Sequence, residues 1–204
     1  MADSSLAPQI QIHNLVKQYN NKASVKPAVN DLNFTLYESQ ITTLLGHNGS
    51  GKSTTVSLLT GLFAPTSGDC VIYGHSIVSH PTEARCSVGI SSQQNILFDR
   101  LTVLETIFFF RRIKGVRSNL AEVRAHAEEI GLHDFFHTTA SSLSGGNKRK
   151  LSLAIALCGD PKFLILDEPT SGMDPSSRRA CWDVLRKKRS GRVILLTTHF
   201  MGRS

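Results

Sequence analysis

The fold of this chain is decided by the stretch Gly46-His47-Asn48-Gly49-Ser50-Gly51-Lys52-Ser53, which follows the apolar segment Ile41–Leu45 and opens a helical pattern at residues 51–61. In such a strand, glycine-rich turn and helix, backbone N–H groups converge on a phosphate at the helix N-terminus, where the helix dipole also favours an anion. We therefore predict a bound nucleoside triphosphate, with Lys52 reaching the β- and γ-phosphates and the Ser53 hydroxyl available to Mg²⁺. The residues predicted to contact the nucleotide in this stretch are Gly46, His47, Asn48, Gly49, Ser50, Gly51, Lys52, Ser53 and Thr54.

A second apolar strand pattern ends in two adjacent carboxylates, Asp167 and Glu168. At the carboxyl edge of a parallel sheet, both side chains would emerge beside the phosphate loop. We predict that Asp167 binds Mg²⁺ directly or through water, and that Glu168 polarises the attacking water as general base. The two patterns together predict binding and hydrolysis of ATP.

A third motif, Leu143-Ser144-Gly145-Gly146-Asn147, precedes a predicted helix at residues 148–157. Ser144 is placed to cap this helix, and the exposed N–H groups would present a second anion site. Because one phosphate loop cannot fold onto both sites, the second site is predicted to hold the γ-phosphate bound by a neighbouring subunit. The chain is therefore expected to work as a pair.

Apolar strand patterns alternate with helical patterns, which predicts an α/β fold with a mainly parallel sheet flanked by helices. The predicted strands lie at residues 10–19, 33–37, 41–45, 70–73, 163–167 and 193–198. Helices are predicted at 101–112 and 121–130, the second with Val123, Ala127 and Ile130 on one buried face. A further helix at 175–189 begins with Pro175. A helical subdomain therefore interrupts the sheet.

Composition sets broad bounds, because 204 residues with 40% hydrophobic content suit one globular domain. No apolar run approaches the roughly 18 to 20 residues that cross a bilayer. The N-terminus lacks the basic start and apolar stretch of a secretory signal, so a cytosolic compartment is expected. The four cysteines lie far apart without paired spacing, and we interpret them as reduced, mostly buried thiols.

The net charge of +7 is compatible with nucleic-acid binding, since Lys and Arg neutralise phosphates. The basic clusters at residues 111–112, 148–150, 178–179 and 186–189 fall on predicted helices, where a solvated helix face is the simpler interpretation. Proximity to an anionic cytoplasmic membrane leaflet would also favour such charge. Charge alone does not choose between these classes.

The three motifs in this order resemble those of ATP-binding cassette (ABC) nucleotide-binding domains, over about residues 10–201. The resemblance implies a P-loop NTPase fold with an antiparallel β part, a core at about 10–92 and 155–201, and an inserted helical subdomain at about 95–155. In that family the signature LSGGQ of one domain faces the Walker A loop of another across two ATP molecules. This chain has Asn147 where the commonest form has Gln.

The resemblance also implies roles for smaller motifs. Tyr19 resembles the aromatic residue that stacks on adenine, and His199 resembles the switch histidine near the γ-phosphate. Gln93 resembles the Q-loop glutamine that touches Mg²⁺ and signals to the membrane domain, although Gln94 is a rival for this assignment. The segment Ser171-Gly172-Met173-Asp174 resembles the D-loop of the family. The residues implied in catalysis are Glu168, His199 and Gln93, and those implied in metal binding are Ser53, Gln93 and Asp167. The further residues implied at the nucleotide are Ser144, Gly145, Gly146, Asn147 and Asp174.

Finer matches at residues 46–49, 95–99, 112–115, 146–152 and 174–179 resemble the A subfamily of ABC transporters. This implies ATP-powered movement of lipid across a membrane, with the cassette at its cytoplasmic face. A second cassette and transmembrane domains are the implied partners, and nucleic acid is not. The alternative is a soluble ABC ATPase clamp that acts on nucleic acid or ribosomes. A catalytically silent regulatory module is a third class, weakened by the presence of Lys52 and Glu168.

The chain departs from the family pattern after His199, where family cassettes continue into further strands and helices. We therefore expect a C-terminally truncated cassette: a fragment, a truncated gene product or a separately encoded subunit. Without a partner that supplies the lost packing, we expect weak stability and little ATPase activity from the chain alone.

Overall fold

A computed structural model describes residues 8–19 and 26–198. Within them, the strands are β1 (Ile10–Lys17), β2 (Val29–Leu36), β3 (Ile41–Leu45), β4 (Ser67–Ile72), β5 (His75–Ser76), β6 (Val88–Ser91), β7 (Phe163–Asp167) and β8 (Val193–Thr198). The α-helices are α1 (Lys52–Leu59), α2 (Pro81–Cys86), α3 (Val103–Ile113), α4 (Leu120–Glu129), α5 (Gly145–Leu157) and α6 (Pro175–Lys188). The described residues divide into a first unit, residues 8–19, 26–88, 162–167 and 189–198, and a second unit, residues 89–161 and 168–188.

One sheet of the first unit is antiparallel, with the strand order β2-β1-β4-β5. Ile10 in its central strand β1 lies opposite Leu36 of β2 and Ile72 of β4, and all three side chains are buried. Polar residues of β1 alternate with these apolar ones, as expected for a sheet with one face in the core.

The second sheet has the order β3-β8-β7-β6, and β8 pairs in parallel with both β3 and β7. Leu45 lies opposite Thr198, and Thr197 lies opposite Asp167, so β3, β8 and β7 all end at one edge. The apolar residues of β7 are fully buried on both faces, which is typical of a strand in a parallel sheet. This shared edge positions the phosphate loop and Asp167.

The second unit is mainly helical. Helix α3 packs against α4 and α5, and α4 also packs against α5. The predicted apolar face of α4 is confirmed, because Val123, Ala127 and Ile130 are at most 2% exposed. Burial of this stripe against neighbouring helices explains why a helix with many charged residues is stable here.

The α/β fold class is confirmed, but the sequence patterns missed three short elements. Strands β5 and β6 and helix α2 span only two to six residues each, too few to establish a period. The pattern at residues 33–37 covers only the second half of β2, and β1 ends before Tyr19. The antiparallel sheet therefore has as many strands as the sheet that carries the phosphate loop.

The cysteine interpretation agrees with the structure. Cys70, Cys158 and Cys181 are buried and Cys86 is exposed. Burial raises the pKa of the Cys70 thiol to about 12 and that of the Cys158 thiol to about 11, so both stay protonated and unreactive at neutral pH. Among the residues that the structure describes, no helix is long and apolar enough to span a bilayer.

Candidate functional site

The predicted phosphate loop joins the end of β3 to the start of α1. Gly51, immediately before α1, has a φ of 91°, in the left-handed region that favours glycine. A Cβ at this position would lie 2.3 Å from the backbone oxygen of Ala28, so no larger residue fits without rearrangement. Helix α1 has no side-chain N-cap, and its first turn carries no acidic residue. This N-terminus is therefore suited to an anion.

The Lys52 side chain bonds to the backbone of the phosphate loop. Its side chain is 7% exposed, and Nζ donates hydrogen bonds to the backbone oxygens of Gly46 at 2.5 Å and His47 at 3.0 Å. Lys52 is the first residue of α1, and its side chain reaches back so that the ammonium group lies within the preceding turn. A cleft of about 590 Å³ borders this loop, within the size range of small-molecule sites.

The other predicted loop residues differ in exposure. His47, Asn48, Gly49, Ser50 and Ser53 are exposed, whereas Gly46 and Thr54 are half-buried. Ser53 occupies the first turn of α1, where its hydroxyl is accessible. The predicted contact set therefore forms one continuous, largely accessible surface within the first unit.

Asp167 ends β7 at the same sheet edge. Its Oδ1 accepts a short hydrogen bond from the hydroxyl of Thr197, which is fully buried in β8. This bond fixes the orientation of the carboxylate between its own strand and the neighbouring one. Thr197 is a residue that sequence reasoning missed, although its pairing position beside Asp167 follows from aligning two parallel strands.

Glu168 follows Asp167 and has an unusual backbone. Its φ is 53°, in the left-handed region that costs a non-glycine residue of the order of 1 kcal/mol. Its residue is 8% exposed, and its backbone oxygen accepts a hydrogen bond from Arg149 Nη2 at 2.5 Å. Surrounding contacts in the second unit thus hold Glu168 in a conformation that it would not adopt by preference.

Tyr19 lies beside α1 in the first unit. Its hydroxyl makes a long contact of 3.5 Å with Thr54 Oγ1, and its ring meets Phe63 edge to face at 5.9 Å. Lys17 Nζ lies 5.4 Å from the centre of the Tyr19 ring, within cation–π range. The ring remains 56% exposed, so a face is accessible for stacking.

The second unit brings three predicted motifs together around a cleft of about 440 Å³. Its walls come from the Q-loop, the signature motif, the D-loop and α5, and the lining residues are Gln93, Gln94, Asn95, Gly145, Arg149, Ser171 and Gly172. Because Gln93 and Gln94 both line the cleft and both are exposed, the choice between them stays open.

Two helix N-termini in this unit are capped by residues of the predicted motifs. The Ser144 side chain accepts a hydrogen bond from the Asn147 N–H at 3.3 Å and so caps α5, as its sequence position predicts. Asp174 immediately precedes α6, and its Oδ2 accepts from the N–H groups of Ser176 and Ser177 in the first turn of that helix. Hydrogen bonds from the Ser176 hydroxyl and from Ser177 hold the pKa of Asp174 well below its usual value, so this carboxylate stays charged.

The interpretation of residues 148–150 as a solvated basic face is wrong for Arg149, which is only 4% exposed. Its guanidinium is directed toward backbone oxygens within the second unit rather than toward solvent. Sequence pattern cannot distinguish a buried cation from a solvated one when both neighbours are lysines.

His199, the predicted switch residue, lies outside the described residues.

Comparison with known proteins adds independent evidence. Residues 29–171 match the family model described as "ABC transporter". The retinal-specific phospholipid-transporting ATPase ABCA4 of Mus musculus is 51% identical over 96% of this chain, and the phospholipid-transporting ATPase ABCA3 of Homo sapiens is 50% identical over 96%. The chain spans only 8% and 12%, respectively, of the length of these relatives.

Solved structures agree with the sequence relatives. A bacterial Atm1-family ABC exporter with ATP bound superposes with a TM-score of 0.83 at 26% identity, over 95% of this chain and 35% of that one. The dimeric structure of MJ0796, a bacterial ABC transporter cassette, gives a TM-score of 0.82 at 24% identity, over 94% of this chain and 88% of that one. The fold is thus shared with whole cassettes.

Proposed function

Because the chain belongs to the ABC transporter family, we propose that it is an ATP-binding and ATP-hydrolysing cassette that closes around Mg-ATP as one of a pair. The observation that carries this proposal is the phosphate loop, in which Gly51 adopts φ 91° at the start of α1 and Lys52 is held over Gly46 and His47. Binding of the phosphates would replace these two carbonyl contacts with stronger bonds between opposite charges.

The residues available to magnesium have the oxygen ligands that this ion prefers. Ser53 offers an accessible hydroxyl, Asp167 offers a carboxylate oriented by Thr197, and Gln93 is the third candidate. When bound, Mg²⁺ would act as a Lewis acid and reduce the negative charge of the phosphates. The hydrogen bond from Thr197 limits the rotation of the Asp167 carboxylate in this role.

Glu168 is proposed to act as the general base that accepts a proton from the attacking water. A general base must lie within hydrogen-bond reach of the water and must be held in a fixed position. The constrained backbone of Glu168 supplies the fixed position. Ser144, Gly145 and Gly146 of a second cassette would complete the site through the capped N-terminus of α5. Asp174 and His199 are proposed as further residues of the completed site. One chain alone would hold the nucleotide without completing the hydrolytic site.

We further propose lipid as the transported substrate, as the names of the two relatives suggest. The proposed location of the cassette is the cytoplasmic face of a membrane. Coupling would use the apolar surface of the second unit, where Ile96 is 76% and Phe98 is 49% exposed. The Phe98 ring packs against Phe109 and Phe110 at 5.3 and 6.1 Å, so this surface has a rigid aromatic base. It lies next to Gln93 in the chain, which supports transmission of nucleotide state to transmembrane domains.

Replacing Tyr19 by alanine tests the adenine site. Base stacking on an aromatic ring contributes about 1 to 3 kcal/mol, so the Kd for Mg-ATP should rise about tenfold or more. Tyr19→Phe keeps the ring and loses only the long contact with Thr54, so it should bind within about twofold of the unchanged chain. Titration with a fluorescent ATP analogue measures both. Equal affinity of the alanine variant would remove Tyr19 from the site.

The size and membrane association of the native polypeptide test the transporter proposal. Cells that produce this sequence would be fractionated and probed with an antibody against residues 26–198. We expect a membrane band that needs detergent for extraction and is much larger than the 22.4 kDa of this chain. A detergent-independent band near that mass would instead support the clamp alternative, and salt-dependent RNA binding by it would establish that class.

A further inference from the structure

The guanidinium of Arg149 joins three parts of the second unit. Arg149 lies on α5, five residues after the capping residue Ser144, and is 4% exposed. Its Nη1 donates to the backbone oxygens of Ser92 and Gln93, each at 2.7 Å. On its other side, Nη2 donates to the Glu168 oxygen at 2.5 Å and Nε to the Pro169 oxygen at 3.2 Å.

These bonds explain why a charged residue is stable in a buried position. Arginine does not lose its proton in proteins, so burial requires that its N–H groups be satisfied. Two pairs of consecutive carbonyl oxygens meet the planar fork from two sides, an arrangement that the single ammonium of lysine cannot reproduce. A further bond from Nη1 reaches Asn95 Oδ1 at 3.3 Å, and Ser152 of α5 donates to the same oxygen at 3.0 Å.

We propose that Arg149 is a positioning residue that makes the signature helix, the Gln93 loop and the Glu168 turn move as one body. This rests on the proposed function of the cassette. Arg149 touches neither nucleotide nor water in this account, and it acts through the backbone of Gln93 and Glu168. Its bond to the Glu168 oxygen helps hold the φ of 53° that sets the position of this base.

Through the bonds of Arg149, one cassette would respond to the nucleotide bound by its partner. In the proposed pair, the N-terminal end of α5 receives the γ-phosphate bound by the other subunit. A displacement of α5 would carry the carbonyls of Gln93 and Glu168 with it, because Arg149 is anchored to both. The position of the Glu168 base would therefore respond to the nucleotide in the partner site.

Hydrogen exchange tests this without depending on hydrolysis. In Arg149→Met, the backbone amides of residues 92–96, 168 and 170–172 should exchange about tenfold faster or more, because opening these segments no longer breaks their hydrogen bonds to Arg149. Amides at residues 46–56, in the first unit, should be unchanged. Lys148→Met removes the neighbouring, half-buried cation of the same helix and should leave all three segments as in the unchanged chain. Arg149→Lys should be intermediate.

Wild-type exchange at residues 92–96 and 168–172 in a folded Arg149→Met variant would overturn the proposal. If Arg149→Met does not fold, the same measurement is made on Arg149→Lys, and unchanged exchange in that variant would likewise overturn the proposal. In turnover assays, we expect kcat to fall about tenfold or more with the Kd for Mg-ATP within about twofold, a split that general unfolding would not give. Failure of the unchanged chain to bind Mg-ATP would refute the proposed function. The hydrogen-exchange result would still show whether Arg149 holds the two segments together.

Discussion

Replacing Lys52 by alanine should raise the Kd for Mg-ATP about a hundredfold or more, the largest effect that we expect from any substitution in the first unit. The Lys52 ammonium is buried in the loop and bonded to the Gly46 and His47 oxygens, so it already lies where phosphates would be received. Its loss removes a fixed charge from a site of low exposure, where charge interactions are stronger than in water.

Isothermal titration with Mg-ATP measures this change, with thermal unfolding as a check that the loop variant is folded. Lys162→Ala is the matched control, because Lys162 is an exposed cation of the same unit that lies over the ring of Tyr73. It should bind Mg-ATP as the unchanged chain does. An alanine variant at position 52 that keeps normal affinity would show that the nucleotide is bound elsewhere.

Replacing Glu168 by glutamine should reduce ATP turnover by about a hundredfold to a thousandfold, the range expected for loss of a general base. Glutamine preserves shape and hydrogen-bonding capacity but cannot accept the proton. Affinity for Mg-ATP should stay within about twofold, since Lys52 and the phosphate loop are unchanged. Phosphate release measured with the cassette paired in its native assembly gives the rate.

Glu128→Gln provides the control for this substitution, because Glu128 is an exposed carboxylate on α4 of the same unit. Its turnover should match that of the unchanged protein. If Glu168→Gln hydrolysed ATP at the normal rate, another residue would have to activate the water. The constrained backbone at position 168 would then need a different explanation.

The sequence predicted the elements that carry the phosphate chemistry with good accuracy. The bounds of β3, β7 and β8 agree with the structure to the residue, because the short segments 41–45, 163–167 and 193–198 are rich in Ile, Leu, Val and Thr, as is typical of strands. The shared edge of these strands then follows from parallel pairing. Strong local patterns were enough to locate Lys52 and Asp167.

Other features depend on contacts between segments far apart in sequence. The buried position of Arg149 is set by carbonyl groups that follow β6 and β7, so nothing local distinguishes it from Lys148 and Lys150. The start of α3 is different, because Thr102 and Glu105 form a capping box whose three-residue spacing is visible in the sequence. That signal would have moved the predicted helix start from residue 101 to Val103.

Sedimentation velocity of the Glu168→Gln variant shows whether this chain is one half of an ATP-closed pair. We predict a monomer without nucleotide and a doubling of mass in saturating Mg-ATP, because bound ATP persists when hydrolysis is blocked. The additional Lys52→Ala substitution should abolish this dimer. A Glu168→Gln chain that binds Mg-ATP and remains monomeric at saturation would contradict the account.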